Sequence, residues 1–219
     1  MRRLMMFLVI ATAVWAGPKV AAAEDRPSDR NLVLAGMAMA VPTYFLELSV
    51  HEGSHALMAK ALGADLVAFS LVPGFHPKTG TFYLGYTTVR GLRTDRQRAM
   101  FLMAPKASNS ILLGGFALMH ATDSLPNNYY GRTAVLVLAT GFWVDFSRDI
   151  LAFSKHNDTV KIYNMLGLDT ELKRLSGRLV HLGLSVVMGY SIYRGYEELF
   201  EDSTPTSQPL LLPMLDGRF

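Results

Sequence analysis

The stretch NLVLAGMAMAVPTYFLELSVHEGSHALMAKAL, residues 31–62, decides how the rest of the chain is read. Leu32 to Leu46 carries no charge, and Leu32 to about Val50 supplies the roughly 20 mainly apolar residues that a membrane-crossing helix needs. The same helix then runs on into polar chemistry at Glu47, His51, Glu52 and His55. Gly63 stands where a helix C-terminal cap belongs, and Pro42 is expected to kink the helix.

His51-Glu52-Gly53-Ser54-His55 is an HExxH pattern on that helix. Histidines at i and i+4 project from one face about a turn apart, so both imidazoles can reach one ion. The glutamate beside the first histidine is placed to act as general base, and zinc supplies the activated water that attacks a peptide carbonyl. Five-residue patterns also arise by chance. Here the position argues against chance, because ionisable residues beside a membrane span are costly and usually functional.

Working outward, residues 64–92 change character. Leu66–Val72 and Thr81–Val89 are rich in β-formers and flank the turn-rich segment 73–80, which predicts a β-hairpin. Three further apolar helices are expected at Ala99–Ala121, Thr133–Phe153 and Arg178–Tyr193, the last extending back to Thr170 and on to Asp202. Upstream, Arg2 and Arg3 precede an apolar run, Leu4–Gly17, and the small residues Ala21–Ala23, as in a signal peptide or signal anchor. The expected organisation is therefore a signal segment at 1–23, a membrane metalloprotease domain at 24–202 and a tail at 203–219. The fold class is an all-α polytopic membrane protein with about four spans and a small β-hairpin insertion.

Composition agrees with a membrane setting. Half of the 219 residues are hydrophobic and 18% are charged, below the roughly 25% typical of soluble domains. A net charge of +3, with no basic stretch interleaved with aromatics, argues against a nucleic-acid partner. The chain has no cysteine, which excludes disulfides, thiolate ligands and a cysteine nucleophile. Lys60, Lys78, Arg90, Arg93, Arg96 and Arg98 place the 56–98 link in the cytoplasm. Lys155, Lys161, Lys173, Arg174 and Arg178 do the same for the link before the last helix. Both mature termini are then expected outside, and the HEGSH end of the helix faces the cytoplasm.

His51–Leu62, followed by Gly63-Ala64-Asp65 and a strand ending Leu71-Val72-Pro73-Gly74, resembles the site-2 protease family of intramembrane zinc metalloproteases. Ala104-Pro105-Lys106-Ala107-Ser108-Asn109 is similar to that family's Ala-Gly-Pro…Asn stretch, with departures. The likeness covers about residues 40–165. It implies cleavage of a membrane-protein substrate within or next to a transmembrane segment. It also implies an aspartate as third zinc ligand, although the family's motif around that aspartate is not kept cleanly here.

A catalytic zinc takes three protein ligands and leaves one position open. Asp158, which opens a helix at the expected depth of His51 and His55, is the first choice for the third. An aspartate there is also a natural helix cap. Asp145 is second; with Asp149 it lies on the third span, where either could instead pair with Arg148. Asp216, in Leu212-Pro213-Met214-Leu215-Asp216-Gly217, matches the family's aspartate motif by eye but falls on the opposite side. Glu47 is either an orienting partner of His51 or a buried polar group satisfied by a neighbouring helix. His76, His120, His156 and His181 are not expected to ligate. Two other functions fit the motif: a membrane zincin with Glu171 or Glu197 as third ligand, and a catalytically silent scaffold or metal-binding protein. Intact Glu52 favours an enzyme over the scaffold.

Overall fold

A computed structural model describes residues 26–75, 80, 82–155 and 157–201. The expected signal segment, the 203–219 tail with Asp216, and His76 and His156 lie outside the described residues. The chain is mostly helical. Helix α1 (Asp29–Ala61) leads to strands β1 (Asp65–Ser70), β2 (Gly74–Phe75), β3 (Phe82–Tyr83) and β4 (Tyr86–Arg90). Then come α2 (Asp95–Ala121), α3 (Tyr129–Arg148), a 3-10 turn (Asp149–Leu151), α4 (Asp158–Met165) and α5 (Glu171–Phe200).

Local chemistry sets these boundaries. Ser28 caps α1, accepting from the Asn31 N–H. At its far end Gly63 takes φ +72°, and Ala64 N–H reaches Ala59 O while Gly63 N–H reaches Lys60 O. This is the Schellman pattern that a glycine permits. Thr94 and Gln97 form a capping box at the start of α2. Pro42 and Pro105 both sit inside helices.

β1 and β4 pair antiparallel from Asp65 opposite Arg90 to Ser70 opposite Tyr86, with an irregularity between Leu66 and Ala68. β2 and β3 add a two-residue ladder beyond them, so the expected hairpin is longer than its two main strands. The buried cluster of Leu32, Leu113, Phe116, Leu136, Phe142, Ile192 and Leu199 joins α1, α2, α3 and α5. It fills the half of the bundle nearest the start of α1. The opposite half, around His51, buries the polar groups Glu52, His55, Asn109, Asp145 and Asp149 among apolar side chains such as Leu48 and Leu102.

Among the described residues two helices, not four, are long and apolar enough to cross a membrane: α1, of 33 residues, and α5, of 30. The expectation of four spans is corrected here. Pro105, Lys106 and Asn109 interrupt the apolar run of α2, while α3 has 20 residues and carries Arg132, Asp145 and Arg148.

Candidate metal centre

Three segments converge at the polar end. α1 contributes His51, Glu52 and His55 from successive turns, and the two imidazole centroids stand 5.4 Å apart. α4 brings in Asp158, whose Oδ2 lies 3.0 Å from His55 Nε2. One donor atom each from His51, His55 and Asp158 lies within 4.8 Å of the other two. Among the described residues this is the one such group of three or more, and it could hold a metal ion.

The ring nitrogens are assigned by their partners. His55 Nδ1 lies 2.8 Å from the carbonyl of Phe101, and the Phe101 ring packs on the imidazole at 4.5 Å. Both nitrogens of His55 therefore face acceptor oxygens, while a neutral imidazole has a single N–H. With that proton on Nδ1, the Nε2–Asp158 side calls for a shared cation, either a proton or a metal ion. The 3.0 Å separation there is close to the edge, about 3.3 Å, of a tetrahedron built from bonds of about 2.0–2.1 Å. His51 Nδ1 lies 3.0 Å from Asp145 Oδ2, so its proton belongs on Nδ1 and Nε2 is left as a lone-pair donor. The donor set fits a small divalent ion held by nitrogen and oxygen.

Asp145 thus stands behind His51 rather than beside the ion. It is 1% exposed, accepts from Asn109 Nδ2 at 2.6 Å and pairs with Arg148 at 2.6 Å. Of the two roles open to Asp145, the structure favours the structural one. Glu47 does not hold the His51 Nδ1; Asp145 does. Asp149 performs a related task for α4. Its carboxylate accepts from Lys106 Nζ at 3.0 Å, Asn157 Nδ2 at 2.9 Å and Thr159 Oγ1 at 2.8 Å. Those contacts fix the start of α4 against the 3-10 turn and α2.

The helix cap at that point is Asn157, whose side chain accepts from the N–H groups of Thr159 and Val160. Asp158 is the first helical residue, so the expected capping role passes to its neighbour. Its carboxylate is free to face His55 through Oδ2 and Lys161 through Oδ1, at 2.8 Å. Burial alone would raise the Asp158 pKa, but the His55 hydrogen bond and the Lys161 charge outweigh it and hold the group lowered to about 2.

Glu52 is buried and accepts from Thr87 Oγ1 on β4 at 2.7 Å. The same hydroxyl lies 3.1 Å from the Glu52 carbonyl. Gly85 makes this contact possible. A Cβ there would stand 2.8 Å from Leu48 Cδ1, 3.0 Å from Ser70 O and 3.2 Å from Glu52 Cγ. His51, Glu52, His55 and Asp158 line one cleft of about 320 Å3 with Tyr86 and Thr87.

Other sequence candidates lie elsewhere. Glu171 pairs with Arg174 and Arg178, and Glu197 pairs with Arg194. His120 meets Glu198 at 3.2 Å, and His181 meets the Phe146 carbonyl. The orienting residues Asn109 and Asp145 had a signal in the sequence as polar positions within apolar helices. Thr87 and the Phe101 carbonyl had none. Searches against protein-family models, curated proteins and solved structures found no match for the chain.

Proposed function

We propose that the chain is a zinc-dependent membrane endopeptidase that hydrolyses a protein substrate within or next to a transmembrane segment. The carrying observation is the convergence of Asp158 on the HExxH face, with donors from all three residues within 4.8 Å of one another. In this reading His51, His55 and Asp158 hold the ion through nitrogen and oxygen atoms, a set well suited to zinc. When bound, zinc polarises the scissile carbonyl and activates water for attack. Glu52, on the same helix face and held through Oε2 by Thr87, takes the proton from the attacking water and returns it to the leaving amine.

The membrane setting rests on α1 and α5. Only 11% and 17% of their apolar windows are buried, whereas the core helix of a soluble protein is covered by its neighbours. Val33, Leu34, Met37 and Val41 on α1, and Leu179, Val180, Val186 and Val187 on α5, are all exposed. Arg26 donates to the Phe200 carbonyl at 2.8 Å, so the start of α1 and the end of α5 share one side. His51 lies about 33 Å along α1 from Asp29, one hydrocarbon thickness further on. With the basic links inside, the cleft faces the cytoplasmic boundary and the two ends face outward. Among the described residues β4 has one strand neighbour, β1, and its run along the cleft through Thr87 and Thr88 offers a place for an unwound substrate strand.

The test is purification of the full chain in detergent, elemental analysis, and incubation with a transmembrane-peptide substrate panel. One zinc per chain and cleavage that Glu52→Gln abolishes are expected. Zinc without hydrolysis of any panel member would assign the protein to the metal-binding scaffold class. Absence of stoichiometric metal from chain purified without chelator and then zinc-loaded would refute the centre.

A further inference from the structure

Beside the metal cleft runs a second hollow, of about 460 Å3, floored by Val89 and Leu92 and walled by Phe101, Leu102 and Met165. Phe101, Leu102 and Lys161 line both spaces, so the two adjoin. β4 borders each in turn: Tyr86, Thr87 and Thr88 line the cleft, and Val89 lines the trough. On the helices the order follows from spacing. Asp158, Lys161 and Met165 occupy one face of α4 at i, i+3 and i+7, while Phe101, Leu102 and Pro105 do so on α2. Along β4 the lining passes from Thr88 in the cleft to Val89 in the trough, a single step of roughly 3.3 Å for an extended chain.

We propose that this trough is the specificity subsite of the cleft and takes a large aliphatic side chain of an extended peptide, next to the bond that is cut. The inference rests on the metalloprotease reading and names its substrate class: peptides with a leucine-sized residue adjacent to the scissile bond. The shared lining and the passage of β4 from cleft to trough select a peptide as occupant, since a chain held at the ion along β4 brings a neighbouring side chain to this wall. Arg98 and Lys161 are the charged members of the lining, and both side chains are about half-exposed.

The experiment measures binding, not turnover. Zinc-loaded full chain in detergent is titrated with acetohydroxamate and with two capped dipeptide hydroxamates that differ only in leucine or alanine beside the chelating group. Leucine is expected to bind about tenfold or more tightly than alanine, the scale of burying three additional carbons. Met165→Trp, which fills the trough, should bring that ratio near one and leave acetohydroxamate unaffected. Met165→Ala, which widens it, should shift the preference from leucine toward phenylalanine. If acetohydroxamate binds but leucine and alanine bind equally, the subsite is refuted and the metal centre stands. If no hydroxamate binds, the metal reading fails and the subsite falls with it. Tight binding of dodecyl phosphate that Met165→Trp abolishes, with no leucine preference, would assign the trough to lipid instead.

Discussion

Asp145 Oδ2 lies 3.0 Å from His51 Nδ1 across 94 residues of sequence, and this contact settles which His51 nitrogen faces the candidate ion. A carboxylate behind a ligating imidazole fixes its tautomer and ring plane, and loss of such a partner typically costs 10–100-fold in metal affinity. Asp145→Asn should therefore weaken zinc binding by about that factor without abolishing it, as read by chelator competition. Complete loss of zinc from a folded variant would instead make Asp145 a direct ligand.

Glu52 and its support by β4 give a second expectation. Glu52→Gln should retain zinc and lose about 10²–10⁴-fold in hydrolysis, the usual contribution of a positioned base. Thr87→Val removes the hydroxyl at 2.7 Å and should lower kcat with little change in KM or zinc content. Gly85→Ala should do the same more severely, because its Cβ would meet Leu48, Ser70 O and Glu52 at 2.8–3.2 Å. Loss of zinc in either hairpin variant would show that β4 supports the ligands rather than the base.

The parts of this centre that were legible in the sequence are the local ones. HEGSH on a continuous helix requires only the i, i+4 geometry, and the Gly63 stop requires only a left-handed residue. Asp158 could be ranked first because topology limited which carboxylates reach the level of His51. The orienting groups depend on long-range packing: Asp145 and Asn109 are single polar positions on α3 and α2, and nothing local couples them to α1. Four spans were expected because α2 and α3 carry apolar runs resembling those of α1. Their polar residues are the ones that turn inward to the site, and they shorten those runs. At 157–158 two good capping residues stand side by side, and the contact of Asn157 with Asp149 accompanies its place as the cap.

The metal-free chain should show the ionisation of Asp158 in its acid stability. Its pKa lies below the ordinary value of 3.8, at about 2. The stabilisation from the ionised group is thus fully present above about pH 3.8 and is lost as pH falls towards 2. Thermal melts of wild type and Asp158→Asn between pH 5 and 2 should converge at the acid end. A gap between the two that widens on acidification would contradict the depressed pKa.

The orientation of α1 and α5 can be tested because the native chain has no cysteine. Arg30→Cys, at the exposed start of α1, should react with an impermeant thiol reagent added outside spheroplasts. Arg93→Cys, in the exposed link after β4, should react only after the membrane is opened. The reverse pattern would invert the topology and place the cleft outside.

The closing expectation separates ligation from capping at the start of α4. Asn157 accepts from the Thr159 and Val160 N–H groups and donates to Asp149 at 2.9 Å, whereas Asp158 faces His55 and Lys161. The two neighbours should therefore fail in different ways. Asn157→Ala removes the cap and should cost about 1 kcal/mol of stability, with some further loss from the freed Asp149 carboxylate. Zinc should still bind once the chain is folded. Asp158→Asn leaves the cap intact, replaces a charged donor by a neutral amide, and should sharply reduce zinc affinity and abolish peptide hydrolysis. Near neutral pH the metal-free variant should melt lower than wild type through loss of the His55 and Lys161 contacts, a gap that closes on acidification. Chelator competition and thermal melts on both variants provide the comparison. A fully zinc-loaded, active Asp158→Asn protein would remove Asp158 from the centre and require a different third ligand.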